Sequence, residues 1–256
     1  MSKLFVAFLA CFSAFVTTAA TDAATKKSNY EKRLANEMKY LGGRIQDRRS
    51  AKGNIVLVNA QHLADQKLLA EACSTFTAVS CVDIKIQEGS FDVMEPTLKG
   101  EGTLFLIDND KLPMSLFAPE AKWAMVNVSR LKSDKKPFFE ARIKKETFRL
   151  LCYLCGVGGT KYAHCITGII TKAEDLDEIP EIKVPVEFKE RFNRYLPGCG
   201  IIPFEVVYYK RACEQGWAPP PTNDYQKAIW DKVHAIPEKP MKIKFDPATQ
   251  KGKVTK

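Results

Sequence analysis

The N-terminal half alternates short apolar segments with a helical one, which predicts a β-sheet with a helix packed on it. Asn54–Asn59 is a run of apolar and β-branched residues typical of a buried strand. Gln61–Ala72 carries leucine and alanine at helical spacing, and Val79–Ile86 alternates as a half-buried strand does. Gly102–Ile107 and Trp123–Ser129 supply two further strands. The pattern therefore predicts an α/β fold built on a mixed sheet.

The longest predicted helix follows these strands and runs from Pro137 to Cys155. Its apolar residues recur every three or four positions for about five turns, which is typical of a helix with one buried face. These residues are Phe139, Ile143, Phe148, Leu151, Leu154 and Cys155. Gly156, Gly158 and Gly159 predict the end of the helix, because glycine adopts the positive φ that a helix C-terminus favours.

The remaining chain predicts a smaller, irregular α+β part. It contains a helix over Val186–Tyr195, a strand over Pro203–Tyr209 and a last helix capped by Thr222 or Asn223. The pattern thus divides the chain into a polar leader (21–53), a single α/β domain (54–238) and a lysine-rich tail (239–256).

The first twenty residues have the order of charge, apolar core and small residues that an export signal needs. Lys3 precedes an apolar run from Leu4 to Val16, and small residues lead to Ala20, where we expect cleavage. Thirteen apolar residues fall short of the ~20 that cross a bilayer. We therefore expect a secreted or periplasmic protein with no transmembrane segment after cleavage.

The composition is that of a globular protein with a basic surface. Removing Lys3 with the signal lowers the net charge from +9 to +8, and much of the excess lies in the lysine-rich tail. Such an excess favours anionic glycans, nucleic acid or a membrane surface as partners, and solvated surface lysines are the alternative interpretation. For an exported chain we expect a protein or an anionic glycan outside the cytoplasm as the partner. The acidic run Glu174–Glu178 has no alternating ligands or turn glycine for calcium, which favours a solvated loop.

Seven cysteines remain after signal cleavage, and an odd number leaves at least one unpaired in a monomer without metal. In an oxidising compartment, nearness in sequence favours two disulfides, Cys73 with Cys81 and Cys199 with Cys213. Sequence alone does not fix the connectivity. Cys152 and Cys155 lie one helical turn apart, and we expect no disulfide between them.

Residues 142–167 carry the pattern R-x-x-K-E in Arg142, Lys145 and Glu146, then the turn glycine Gly156 and Cys165. This segment resembles the active-site segment of archaemetzincins, a branch of the metzincin zinc proteases. That segment reads R-x-x-K-E-x-x-H-E-x-G-H-x-x-G-x-x-H-C-x-x-x-x-C-x-M, in which three histidines bind zinc and the second glutamate is the base. The resemblance implies a metzincin-like fold in which the sheet precedes the active-site helix.

The resemblance also implies that the catalytic groups are missing. On the same register the three zinc histidines correspond to Arg149, Tyr153 and Gly159, the base corresponds to Leu150, and the methionine corresponds to Thr167. A guanidinium is a permanent cation and glycine has no side-chain donor, so a zinc of the family type has no ligands here. We therefore expect no catalytic cofactor.

Two interpretations of the nearby cysteines stay open. Cys152, Cys155 and Tyr153 lie on or beside the apolar stripe of the helix, where thiols act as small hydrophobic groups. Alternatively, Cys152, Cys155, His164 and Cys165 supply the four donors of a structural zinc site.

Three functional hypotheses follow. The leading one is an exported metzincin-like protein that has lost protease activity and serves as a binding or scaffold module. The first rival is a hydrolase that uses Cys152, Cys155, His164 and Glu146. The second rival is a basic binder of anionic polymers, which salt-sensitive retention on heparin would reveal.

Overall fold

A computed structural model describes residues 26–92, 96–160, 165–182, 186–235, 243–246 and 251–254. The chain divides into two compact units, one spanning Gln46–Val206 and the other made of the residues up to Ile45 with those from Val207 onward. The predicted signal peptide and the predicted start of the lysine-rich tail lie outside the described residues.

The helices and strands have the following bounds. The strands are β1 (Arg44–Asp47), β2 (Ile55–Asn59), β3 (Ile84–Gln87), β4 (Gly102–Ile107), β5 (Ser115–Ala118), β6 (Trp123–Asn127), β7 (Glu205–Tyr208), β8 (Ile243–Asp246) and β9 (Lys251–Val254). The helices are α1 (26–41), α2 (Gln66–Ser80), α3 (Lys136–Leu154), α4 (Val186–Tyr195), α5 (Tyr209–Glu214) and α6 (Asp224–His234). Short 3₁₀ helices occupy Ala60–His62, Val128–Leu131, Ala173–Leu176 and Leu196–Cys199.

A five-stranded sheet forms the centre of the larger unit, in the order β3-β2-β4-β6-β5. β2 pairs in parallel with β3 and β4, β4 pairs in parallel with β6, and β5 runs antiparallel to β6. The sheet is therefore mixed, and β5 is its outermost strand on one side. β1 pairs with β7, and β8 pairs with β9, in two further two-stranded sheets.

The two faces of the sheet have different covers. Alternate residues of β2, such as Ile55 and Leu57, join the larger buried cluster together with residues of α2, α3 and α4. The other face buries Val56 and Val58 in a smaller cluster, which Phe91 of the β3–β4 connection helps to cover. Edge-to-face ring contacts of Phe76 with Phe148 and Phe192 join the three helices. The α/β fold with a mixed sheet, a long helix on it and a smaller C-terminal part is thus confirmed.

Most predicted elements are found, with shifted boundaries. The long helix, the strand over Gly102–Ile107 and the helix over Val186–Tyr195 agree closely with prediction. The second helix begins later than predicted and continues to Ser80, so the third strand starts at Ile84 rather than Val79. β5 lies between two predicted strands, where no strand was predicted, and β1 lies within the predicted polar leader.

Asn223 caps the last helix as predicted, because its side chain accepts a hydrogen bond from the amide of Gln226 at 3.0 Å. Within the described ranges, no helix combines the length and apolar character needed to cross a membrane.

Candidate functional site

A buried ion pair occupies the centre of α3. Arg149 donates from Nε to Oε2 of Glu146 at 2.8 Å and from Nη2 to Oε1 at 2.6 Å, which is a bidentate pair one turn apart on the helix. The exposed fraction is 5% for the Arg149 side chain and 0% for that of Glu146. The two charges therefore satisfy each other out of contact with solvent.

The rest of the Arg149 guanidinium is also occupied. Nη2 donates to Oγ of Ser115 on β5 at 3.1 Å, and the guanidinium lies 5.0 Å from the centroid of the Tyr153 ring. Burial by itself lowers the pKa of Arg149, but the hydrogen bonds and charge of Glu146, with a smaller contribution from Tyr153, raise the pKa above its ordinary value. Arg149 is therefore a fixed cation.

Tyr153 ties α3 to the chain that follows it. Its hydroxyl accepts a hydrogen bond from the amide of Gly159 at 3.1 Å and lies 3.3 Å from the carbonyl oxygens of Thr167 and Gly168. The Tyr153 ring contacts that of Phe117 on β5, with 4.8 Å between centroids. A single phenol thus joins the helix, the glycine turn and the outer strand.

The glycine turn is shaped around this phenol. A Cβ on Gly158 would lie 2.4 Å from Cδ1 of Tyr153, closer than side chains allow. Gly159 has a φ of +69°, which strains other residues. The glycines after α3 are therefore explained by the Tyr153 ring and by backbone conformation.

The residues that correspond to the family's catalytic groups do not fit a zinc ion. Arg149 is a paired cation, Leu150 is packed in the core with 0% exposure, and Gly159 has no side-chain donor. Tyr153 is engaged with backbone groups of the turn. Thr167 is buried, and its Oγ1 lies 3.4 Å from Sγ of Cys165.

The proposed structural zinc set is only partly described. Cys152 and Cys155 are buried, Cys165 is half-buried, and His164 lies outside the described residues. Burial raises the pKa of both Cys152 and Cys155 far above the ordinary range. Among the residues that the structure describes, no three histidine, cysteine or acidic side chains cluster closely enough to hold a metal.

The two disulfides expected from sequence are not formed, and all seven cysteines are thiols. Cys73 lies inside α2 and Cys81 is its C-cap, so eight residues at ~1.5 Å each separate them by about 12 Å. That separation exceeds the ~7 Å limit for a disulfide. Cys213 is buried in α5, and burial is the main cause that raises its pKa.

Arg142 and Lys145, in the first half of α3, bind the segment Glu174–Glu178, which was predicted to be a solvated loop. Arg142 is buried and donates to Asp177 from Nε at 3.0 Å and from Nη2 at 2.6 Å. Lys145 donates to the carbonyl oxygen of Leu176 at 2.7 Å. Asp175 accepts hydrogen bonds from the amides of Thr171 and Lys172. The acidic run is therefore a structural anchor, which the sequence pattern did not indicate.

Comparison with solved structures finds three similar chains. An archaemetzincin from Methanopyrus kandleri is 12% identical with a TM-score of 0.46, and the match covers 56% of this chain and 96% of that one. A zinc-dependent peptidase from Methanocorpusculum labreanum is 15% identical with a TM-score of 0.42, and the match covers 54% of this chain and 100% of that one. An archaemetzincin from Archaeoglobus fulgidus is 12% identical with a TM-score of 0.41, and the match covers 54% of this chain and 99% of that one. Two of these belong to the family that residues 142–167 resemble. No family model matches the chain, and no curated protein matches it.

Proposed function

We propose that this protein is an exported, metzincin-like protein that has lost peptide hydrolysis and acts as a binding or scaffold module. The observation that carries this proposal is the buried ion pair of Arg149 with Glu146. Arg149 corresponds to the first zinc ligand of the family segment, and its charge is opposed by a glutamate on its own helix. A second cation has neither a ligand nor a counter-charge at this position.

The neighbouring groups support the same proposal. Leu150, at the position of the general base, has no proton acceptor and lies in the core. Without a metal, water keeps a pKa of ~15.7 rather than about 7 and stays a poor nucleophile.

A hydrolase built on the cysteines is less well supported. The nucleophile in such an enzyme is a thiolate, but burial raises the pKa of Cys152 and Cys155, so both remain protonated thiols near neutral pH. Glu146 is unsuited to act as a base because Arg149 holds both of its carboxylate oxygens.

The outer edge of β5 is the surface we propose for binding. β5 is the last strand of the five-stranded sheet on its side, and an outer strand offers main-chain groups to an extended polypeptide. Phe117 on β5 is 49% exposed and lies against Tyr153, so it offers an apolar contact beside the strand.

Restoration of the family residues tests the proposal. The unmodified mature protein is compared with the variant Arg149→His/Leu150→Glu/Tyr153→His/Gly159→His for bound zinc and for cleavage in a broad peptide screen. We expect no chelator-sensitive cleavage by the unmodified protein, and zinc uptake that increases only in the variant. Chelator-sensitive cleavage by the unmodified protein would refute the proposal whether or not the variant folds.

A further inference from the structure

A cavity lies at the carboxyl ends of the parallel strands. It has a volume of about 200 Å³ and is lined by residues that follow β2, β3 and β4, including Gln61, Ser90 and Asp108. It is distant from the Tyr153 turn: Leu154 at the end of α3 lies against Gly102 at the start of β4, and the cavity lies at the other end of that strand.

The topology of the sheet opens a crevice at this place. The chain leaves β2 through α2 and enters β3 on one side, then crosses to β4 on the other side of β2. The first connection packs on the larger buried cluster, whereas Phe91 of the second packs on the smaller cluster of the opposite face. Open α/β sheets bind ligands in the crevice outside such a reversal of strand order.

Two buried asparagines fix the walls of the cavity. Asn59 at the end of β2 donates to the carbonyl oxygen of Ala64 at 2.9 Å and accepts from its amide at 3.3 Å. Asn127 at the end of β6 accepts from the amide of Asn109 at 3.1 Å and donates to its carbonyl oxygen at 2.6 Å. Both loops are therefore held before any ligand arrives, as a binding site requires.

The backbone of one wall is strained. Gln61 and His62 have φ values of 55° and 54°, and consecutive non-glycine residues in the left-handed region are uncommon. Strain of this kind clusters at ligand sites. The hydrogen bonds of Asn59 hold the loop that contains these two strained residues.

The lining combines a carboxylate, amides and apolar groups. Asp108, which lies 3.6 Å from the ammonium of Lys132, offers acceptor oxygens, and Gln61 and Asn109 offer amides. Leu63, Phe91 and Ile107 supply apolar surface. Hydroxyl groups match the polar set because they both donate and accept.

We propose that this cavity binds a single neutral sugar ring. The volume corresponds to about seven waters at ~30 Å³ each, which suits one ring and is too small for a nucleotide. Hydroxyl groups bind Asp108 and the side-chain amides of Gln61 and Asn109, while the C–H groups of the ring pack on Phe91 and Leu63. With so few contacting atoms, we expect a dissociation constant on the order of 1 mM.

The test is a titration of the isotope-labelled mature protein with glucose, galactose, mannose, xylose and N-acetylglucosamine. Binding is monitored by the NMR chemical shifts of the backbone amides. At least one sugar is expected to shift residues 60–63, 89–91 and 107–109 with saturation, and glucose 6-phosphate to bind no more tightly. Shifts in none of these residues with any sugar, or tighter binding of the phosphorylated sugar, would overturn the proposal.

Three variants make the test specific. Asp108→Asn should weaken binding at least tenfold, whereas Asp110→Asn, two residues further along, should leave it unchanged. Gln61→Gly relieves the strain and should raise the unfolding midpoint while weakening binding. Equal effects of the two aspartate variants would show that the cavity carboxylate has no specific role and would contradict the proposal.

Discussion

At the scale of single residues, Arg149 and Glu146 form a mutually dependent buried pair. Arg149→Ala leaves the Glu146 carboxylate buried without its partner, and we expect the free energy of unfolding to fall by about 3–5 kcal/mol. The double variant Glu146→Met/Arg149→Met removes both charges and should be as stable as the unmodified protein or more so. Urea unfolding measures both, and equal losses in the single and double variants would contradict a coupled pair.

The close contact between Gly158 and the Tyr153 ring can also be tested by substitution. Gly158→Ala brings a Cβ within 2.4 Å of the Tyr153 ring, so we expect a loss of about 1–3 kcal/mol in the free energy of unfolding. In a Tyr153→Ala background most of that loss should disappear, because the ring is absent. Gly198→Ala is the matched control, since nothing lies within 4 Å of its added Cβ. A Gly158→Ala loss that is unchanged without the ring would show that the contact is not its cause.

At the scale of elements, the buried face of α2 predicts a dependence of stability on alkaline pH. Burial raises the pKa of Cys73 from its ordinary range near 9 to about 12. Between these values the unfolded chain releases the thiol proton and the folded chain keeps it. The contribution of Cys73 to the free energy of unfolding is therefore complete below about pH 9. It is lost at about 1.4 kcal/mol per pH unit as the pH rises towards 12.

The variant Cys73→Ala should make the free energy of unfolding depend less steeply on alkaline pH, by the amount that corresponds to the release of about one proton. Urea unfolding between pH 9 and 11 measures the slope, and Cys81→Ala at the end of the same helix controls for the loss of a cysteine as such. An unchanged slope in Cys73→Ala would contradict the raised pKa.

The elements also show how far sequence reasoning reaches. Runs such as Gly102–Ile107 are fully buried in the sheet, so their apolar pattern alone identifies the strand. β5 was missed because its four residues lie between prolines and are only half-buried or exposed, and pairing with β6 is what makes them a strand. α2 continues past Ala72 because Cys73 and Phe76 extend its buried face, and the left-handed Cys81 ends it.

At the candidate site too, the sequence predicts some features and only the tertiary structure reveals others. The sequence resemblance places Arg149, Tyr153 and Gly159 at the positions of the family's zinc ligands, and this register stays a prediction. The contacts of these residues depend on tertiary structure: Arg149 reaches Ser115 only because β5 packs beside α3. Asp177 was likewise hidden, because its partner Arg142 lies 35 residues away in sequence.

At the scale of the whole molecule, export is the first expectation to test. Residues 1–20 have the features of a cleaved signal, so a host that secretes the full-length chain should release a protein that begins at Thr21. Intact mass and N-terminal sequencing of the released protein measure this. Retention of an uncleaved chain inside the cell would contradict the expectation, and deletion of residues 1–20 is the matched control.

We propose that this molecule has a segment resembling the metzincin active site but lacks metzincin catalysis. The most direct measurement is hydrolysis of a broad peptide library by the unmodified mature protein, with added zinc and with a zinc chelator. Since Arg149 is a buried, paired cation and the buried Leu150 offers no proton acceptor, we predict no cleavage above background in either condition. Cleavage that requires zinc and is abolished by the chelator would contradict the account.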